Sequence, residues 1–247
     1  MLKKRLVIIF PAYNEECRIR KTFQKYYTFF SAPAYQKAFD IVYFVAINGS
    51  TDRTQAIVEQ LHNQHPAVLS FHDWKEKLGK GGALHRAFAE VTGDFIGFVD
   101  ADGSTAPGEF AKLFPYLSRY DAVIASRFLP GSFVKDRKAL LRQITSRIFL
   151  YCVQILFHLP VRDTQCGAKI FRSHPLKTLL PLLRVRNMAF DVELLYAFQQ
   201  RGYGIKEVPT IWVADDVGSS LSSSSKILQA GLAMFASLVH IRLRKFQ

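Results

Sequence analysis

The chain has 247 residues, 49% of them hydrophobic, which allows a sizeable core and excludes wholesale disorder. Lys and Arg number 33 against 20 acids, a formal net charge of +13, so the partner to look for is anionic: nucleic acid, a phosphorylated substrate or an acidic membrane surface. Three scattered cysteines, Cys17, Cys152 and Cys166, exclude a disulfide scaffold and read as reduced thiols in a cytosolic setting.

In chain order, residues 6–10 form a short apolar run that Pro11 halts, which predicts a first strand. The run is too short for a signal peptide, and no stretch reaches the ~18 apolar residues of a membrane-spanning helix. A helix is expected from Glu15 to about Phe30. Residues 41–47 predict a second strand, ended by Asn48-Gly49-Ser50, and Ser50 or Thr51 would cap a helix reaching about Asn63. A third strand is expected over 68–72, a helix over 81–91 and a fourth strand over 95–99. Pro107 suits the first position of another helix, and 122–125 give a fifth strand. Strands apolar on both faces and alternating with helices predict an α/β fold, a parallel sheet covered by helices on both faces. Ligands of such sheets sit at the carboxyl ends of the strands.

The second half differs. Residues 138–158 are basic at the start and strongly apolar at the end, with Pro160 as the stop. RDTQCGAKIF (162–171) gives a polar loop and a short strand, and AFDVELLYAFQQRGYG (189–204) a helix ending near Gly202. Residues 205–213 have strand character broken by Pro209, 215–225 form a serine-rich loop, and 227–244 form a final helix, apolar and then basic.

Residues 98–105 read FVDADGST. Asp100 and Asp102 stand two apart at a strand end, where they can share one ligand. With hydroxyls nearby they are hard oxygen donors suited to Mg2+ or Mn2+; a turn with two solvated acids is the competing reading. FPAYNEE (10–16) is either a Pro turn with acids at a helix N-terminus or a platform for a base, with Glu15 reaching a ribose or base. LGKGGA (78–83) offers backbone N–H groups and Lys80 to a diphosphate, or is a flexible loop leading into a helix; it lacks Walker A spacing. Lys135, Arg137, Lys138, Arg142 and Arg147 make a solvated basic face or an anion site at a membrane surface. The apolar residues after them, and RLRKF (242–246) on another apolar helix, favour the membrane. The lone histidines, His85 and His158 among them, read as structural.

FPAYNEE, NGSTD, GKGGA, DADGST, ASR, RDTQCGAKIF and AFDVELL occur together and in that order. Over residues 7–246 the chain resembles the dolichyl-phosphate β-glucosyltransferases, family 2 glycosyltransferases with the GT-A fold, which implies a Rossmann-like, mostly parallel sheet with helices on both faces. Many GT-A enzymes share DAD; RDTQCG with AFDVELL is the specific part and marks the polyprenyl-phosphate branch on its glucose side. The resemblance implies UDP-glucose as donor, Mg2+ or Mn2+ as cofactor, and a dolichyl or undecaprenyl phosphate lipid as acceptor, with no nucleic acid partner. It implies that Pro11, Tyr13, Glu15 and Asn48 hold the nucleotide, with Lys80 near the donor. Asp100 and Asp102 would bind the metal and diphosphate, and Arg127, Arg142 and Ser146 would meet the acceptor phosphate. Asp163 and Gln165 would line the sugar end and join Asp102 as the catalytic set. Residues 1–134 would then be the nucleotide-sugar half of one continuous domain. Residues 135–247 would be the acceptor half, with C-terminal amphipathic helices lying peripherally on the cytoplasmic face of the membrane. The chain departs from the family at Ile47 and Asn48, where two acids are usual, so Asn48 would meet the uracil imide through its amide oxygen. It departs again in the serine-rich loop, where Lys226 is the nearest cation.

The reaction so implied is inverting transfer of glucose. The acceptor phosphate is the nucleophile and is already anionic near neutral pH, so no strong general base is needed. The hard step is departure of the nucleoside diphosphate, whose developing charge a metal clamp neutralises. The enzyme alternative is a mannosyl- or other hexosyltransferase using GDP-mannose. A non-catalytic basic module for lipid or nucleic acid is the other class; no RRM, KH or helix-turn-helix signature supports it.

Overall fold

The alternation along the first strand explains the layering. Leu6, Ile8 and Phe10 pack on one side and Val7 and Ile9 on the other, and all five are buried. A strand apolar on both faces is stable only inside a sheet with helices on both sides.

The structure, a computed structural model, describes residues 3–135, 140–214, 224–244 and 246. The first half runs β1 (Lys4–Ala12), α1 (Ile19–Phe30), α2 (Pro33–Ala38), β2 (Phe39–Asn48), α3 (Thr54–Gln64), β3 (Leu69–Trp74), α4 (Gly79–Glu90), β4 (Phe95–Val99), α5 (Pro107–Ala111) and β5 (Ala122–Ser126). Then come β6 (Phe133–Lys135), α6 (Leu140–Phe157), β7 (Ala168–Arg172), α7 (Ser173–Leu179), α8 (Phe190–Gln200), β8 (Ile205–Pro209), β9 (Ile211–Val213) and α9 (Ser224–Leu243). Seven strands form one sheet in the order β3-β2-β1-β4-β7-β5-β8. The β1, β2, β3 and β4 pairings are parallel, as is β5 with β8, while β7 runs antiparallel to both its neighbours. Helices α4 and α8 cover one face, with Phe88, Phe190 and Phe198 buried there; α1 and α3 cover the other with Phe23, Tyr26 and Leu61. Burial of one such side chain contributes roughly 1.5–3 kcal/mol. β1 and β4 lie side by side at the switch in strand order, so the crevice beyond their carboxyl ends is where a ligand is expected.

Several local expectations change. β1 continues through Pro11, which sits opposite Ala46, because a proline near a strand end forfeits only one ladder bond. The first helix begins at Ile19 rather than Glu15, since the backbone of Asn14, Glu15 and Glu16 is bonded to side chains of the loop after β2. Neither Ser50 nor Thr51 caps α3; both bond Asn14 instead. The helix expected from Gly81 starts two residues earlier, at Gly79, so Lys80 lies in α4 with Gly81 and Gly82; a Cβ on Gly81 would meet Phe190 and the Arg186 backbone at 2.5–2.9 Å. Most of the serine-rich loop, with Arg137 and Lys138, lies outside the described residues, as do the side chains of Arg142, Ser146 and Lys226.

Helices α6 and α9 pack on each other and leave apolar side chains outside: Ile148, Tyr151 and Ile155 on α6, and Phe235, Val239 and Leu243 on α9. β6 and β9 form a parallel two-stranded ribbon whose Phe133, Val134, Ile211 and Val213 are also exposed. Among the described residues no helix is long and apolar enough to cross a membrane.

Candidate active site

The loops after β1 and β2 are tied together by short polar side chains. The backbone N–H of Asn14 donates to Ser50 Oγ at 3.1 Å, that of Glu15 to Thr54 Oγ1 at 2.8 Å, and that of Glu16 to Asp52 Oδ2 at 3.1 Å. In return the Thr51 N–H donates to Asn14 Oδ1 at 2.8 Å. Asn14 has a φ of 55°, a left-handed conformation that asparagine tolerates better than most residues. The loop thus holds Glu15 in place, and Arg18 grips its carboxylate with two bonds of 2.7 and 2.8 Å. Burial nevertheless pushes the Glu15 carboxyl up to about 7, against the lowering effect of Arg18. Asn48 is buried at the end of β2 and donates from Nδ2 to the Ala12 carbonyl at 3.1 Å, which leaves Oδ1 as its acceptor edge. Tyr13 accepts from Lys77 Nζ at 3.1 Å.

At the end of β4 the charges form a buried line. Asp100 Oδ1 pairs with Lys80 Nζ at 2.8 Å, and the same ammonium lies 3.6 Å from Asp191 Oδ2. Asp191 Oδ1 accepts from Lys169 Nζ at 2.6 Å, and Lys169 also donates to the Cys166 carbonyl. Lys169 and Asp191 are buried at 0% and 1% exposure, which is tolerable only because they are paired. Burial alone would lower the Lys80 ammonium, but Asp100 and Asp191 override it and hold the group above the usual lysine range. Burial pushes Asp100 up, with Lys80 opposing. Gly167 lies so close that a Cβ there would fall 1.9 Å from Asp100 Oδ2, and its carbonyl accepts the Asp100 N–H at 2.9 Å. Asp102 accepts from the Ser104 N–H at 2.9 Å through Oδ1.

At the end of β5, Arg127 meets Asp163. Asp163 accepts from Arg127 through the backbone N–H, Nε and Nη2 at 2.8–3.0 Å, and from the N–H groups of Gln165 and Cys166 at 3.0 and 3.1 Å. Arg127 outweighs burial and holds the Asp163 carboxyl below its usual range. The guanidinium also lies 5.5 Å from both the Phe128 and Trp212 rings. Because β7 runs antiparallel, its N-terminal approach brings Thr164, Gln165, Cys166 and Gly167 to the same edge of the sheet. There Thr164 Oγ1 and Gln165 Nε2 are buried and make no hydrogen bond.

The structure therefore gathers Pro11, Tyr13, Glu15, Asn48, Lys80, Asp100, Asp102, Arg127, Asp163 and Gln165 along the carboxyl edge of the parallel strands. Asp163 is engaged by Arg127 and by the N–H groups of Gln165 and Cys166, whereas Gln165 Nε2 makes no hydrogen bond. The helix bearing Arg142 and Ser146 is described, but not those side chains. Sequence reasoning missed Arg18, Gly167, Lys169 and Asp191. The signals for the last two were a lysine inside the apolar strand AKIF and an acid in AFDVELL that passes for a helix N-terminal residue. Asp100 and Asp102 are hard oxygen donors, and among the described residues no group of three or more His, Cys, Asp or Glu forms a metal site. Two carboxylates fit Mg2+ or Mn2+ when diphosphate oxygens and water complete the shell.

The chain matches the family described as Glycosyl transferase family 2 over residues 7–180. It is 31% identical, over 97% of its length and 74% of the relative's, to the dolichyl-phosphate beta-glucosyltransferase of Dictyostelium discoideum. It is 30% identical to glycosyltransferase AglD of Haloferax volcanii over 83% of its own length, spanning about a third (32%) of that relative. Its fold superposes with a TM-score of 0.71 on the crystal structure of glucosyl-3-phosphoglycerate synthase from Mycobacterium tuberculosis in complex with Mn2+, UDP and phosphoglyceric acid. That match covers 98% of this chain and 80% of the other at 19% identity, a likeness of fold, and the architecture is GT-A-like.

Proposed function

The chain belongs to glycosyl transferase family 2 and is a glycosyltransferase, and on that basis we propose that it transfers glucose from UDP-glucose to a polyprenyl phosphate at a membrane surface. The observation that carries this reading is the grouping of Asp100 and Asp102 with the Asp163-held Arg127 on one strand edge, a carboxylate pair for a cation beside a fixed cation for a phosphate. The names of the relatives supply the acceptor class.

An acceptor phosphate oxygen attacks the anomeric carbon of glucose, the bond from that carbon to the UDP oxygen breaks, and the configuration inverts. Bound Mg2+ or Mn2+, held by Asp100 and Asp102, would neutralise charge on the leaving diphosphate. Asn48 offers its amide oxygen to the base, and Glu15, fixed by Arg18, faces the ribose or base. Arg127 is locked by Asp163, so it meets the acceptor phosphate without reorganising, the condition under which a charge contributes most. Gln165 Nε2, unpartnered and buried, is a donor for the sugar hydroxyls. The exposed apolar residues of α6 and α9 suit the lipid interface, where the acceptor's headgroup lies.

A donor panel with radiolabelled sugar nucleotides and polyprenyl phosphate, read by lipid extraction, tests the reading. UDP-glucose should be used fastest, and EDTA should abolish transfer. Faster turnover with GDP-mannose would make this a mannosyltransferase instead. Flotation tests the membrane part: the protein should rise with anionic liposomes at low salt and less so at high salt. Failure to float at low salt overturns it.

A further inference from the structure

Lys80 stands between two carboxylates and pairs with both, but lies within hydrogen-bond distance of only one. Its ammonium is 2.8 Å from Asp100 Oδ1 and 3.6 Å from Asp191 Oδ2. Asp191 is 1% exposed, and its Oδ2 makes no hydrogen bond, an expensive state for a carboxylate oxygen. Nothing in the fold requires that oxygen to stay bare. It points at a flexible four-carbon stem whose ammonium carries three donors. The other oxygen of Asp191 is fixed by Lys169, itself anchored on the Cys166 carbonyl, so the carboxylate cannot turn away.

We infer that Asp191 is a positioning residue that receives the Lys80 ammonium when a divalent cation takes Asp100. In the arrangement described, Lys80 occupies Asp100 as a stand-in cation. A dication at Asp100 would repel the ammonium, and Asp191 Oδ2 is the waiting acceptor. Lys80 then stays charged and buried beside the diphosphate, now held by Asp191 and no longer competing for the metal ligand. No proton changes hands; the ammonium shifts its hydrogen bond from Asp100 to Asp191, with which it is already paired at 3.6 Å. Lys169 keeps the receiving carboxylate oriented and offsets its charge. Asp191 meets Lys80 and Lys169 pairs with Asp191, so in this inference both act through Lys80.

This inference rests on Asp100 being a metal ligand, so the test reads Mn2+ binding directly. Free Mn2+ is followed by electron paramagnetic resonance during titration of the full chain with Mn2+ alone and with Mn2+ plus UDP. Asp191→Asn should weaken Mn2+ binding at least about fivefold, the lower end of coupling between linked sites, because Lys80 has nowhere to go and stays on Asp100. Lys80→Met removes the competitor, so Mn2+ should bind as tightly as in the parent or tighter. In the Lys80→Met background, adding Asp191→Asn should leave Mn2+ affinity unchanged. Equal weakening by Asp191→Asn in both backgrounds, or none in either, overturns the inference while leaving the metal site standing. A loss of Mn2+ affinity in Lys80→Met also overturns it, and that outcome can be read even if Asp191→Asn does not fold. Parent protein that binds no Mn2+ overturns the metal reading and this inference together.

Discussion

Glu15, Asp52, Asp100 and Asp163 at the strand ends each hold a donor at 2.8 Å or closer, while Ile148, Tyr151, Ile155, Val239 and Leu243 on α6 and α9 lie bare. The first region is polar, and its carboxylates are held by ion pairs or by hydrogen bonds from neighbouring side chains and backbone. The second is apolar and open. A site that must stabilise charge developing at one place needs dipoles fixed before the reaction. Exposed apolar patches of this kind mark interaction surfaces, and the lipid partner proposed above would need apolar area and no fixed register. Precision is therefore required in one region and not in the other: at the strand ends one substitution should be felt strongly, and on the helices only several together.

Asp163→Ala should do the most damage, because it leaves a buried guanidinium unpaired. Urea unfolding should show a loss of about 3–5 kcal/mol. A loss below about 1 kcal/mol, the size of an exposed pair, would show the strand-end region to be no more precise than a surface. Asp102→Asn should come next. Transfer should fall at least about 100-fold, near 3 kcal/mol of barrier, with near-ultraviolet circular dichroism unchanged, since an amide oxygen can still accept from Ser104. Activity within about threefold of the parent, under 1 kcal/mol, would remove Asp102 from the metal site.

Glu15 gives a pH test of the polar region. Its folded carboxyl is raised to about 7 from the 4.5 of a free glutamate. Below 4.5 both folded and unfolded states hold the proton. Between 4.5 and 7 the unfolded chain releases it and the folded chain keeps it, so stability falls as pH rises through that window, by up to about 3 kcal/mol. Chemical denaturation in EDTA at pH 4.5, 6 and 7.5 should show the slope, and Glu15→Gln should flatten it. A parent stability rising across the window would contradict this sign.

The open region should respond in the reverse way. Ile155→Ser with Val239→Ser should change stability by no more than about 0.5 kcal/mol per site, yet reduce flotation with anionic liposomes. Unfolding by several kcal/mol instead would place those side chains in the core. The smallest signal is thiol labelling at pH 8. Cys17 is exposed and should react at once, whereas Cys166 is buried and its thiol is pushed up to about 12, so it should stay unlabelled in native protein.

The sheet was legible in the sequence because its strands are apolar on both faces, a pattern that survives any choice of neighbours; residues 95–99 needed no correction. Strand direction was not legible. The run AKIF reads the same parallel or antiparallel, and only the structure shows β7 reversed between β4 and β5. Ser50 and Thr51 misled because one hydroxyl can cap a helix or bond a neighbouring loop, and Asn14 lies 36 residues away in sequence. The helix start in LGKGGA was legible to within two residues, but not that its glycines make room for Arg186 and Phe190 against α4, because those partners lie about 100 residues further on. Asp100 and Asp102 stood out as a pair, whereas the Asp191–Lys169 pair spans 22 residues and each member alone resembles an ordinary cap or strand residue.

The reversed β7 also bears on the order in which the molecule can be built as it is synthesised. When β5 has emerged, β4 and β5 both still lack the strand that belongs between them, and β7 ends 46 residues later, at Arg172. At about 5–20 residues per second the nascent chain spends roughly 2 to 9 seconds with the facing edges of β4 and β5 both unpaired. Open edges are templates for wrong pairing, so this interval is when the chain is most exposed to aggregation. Gly167, whose carbonyl fixes the Asp100 backbone, arrives with the same segment. The carboxylate of Asp100 is therefore set in place only with the strand that joins β4 to β5, and a ribosome pause beyond codon 172 would favour correct pairing over one placed before it.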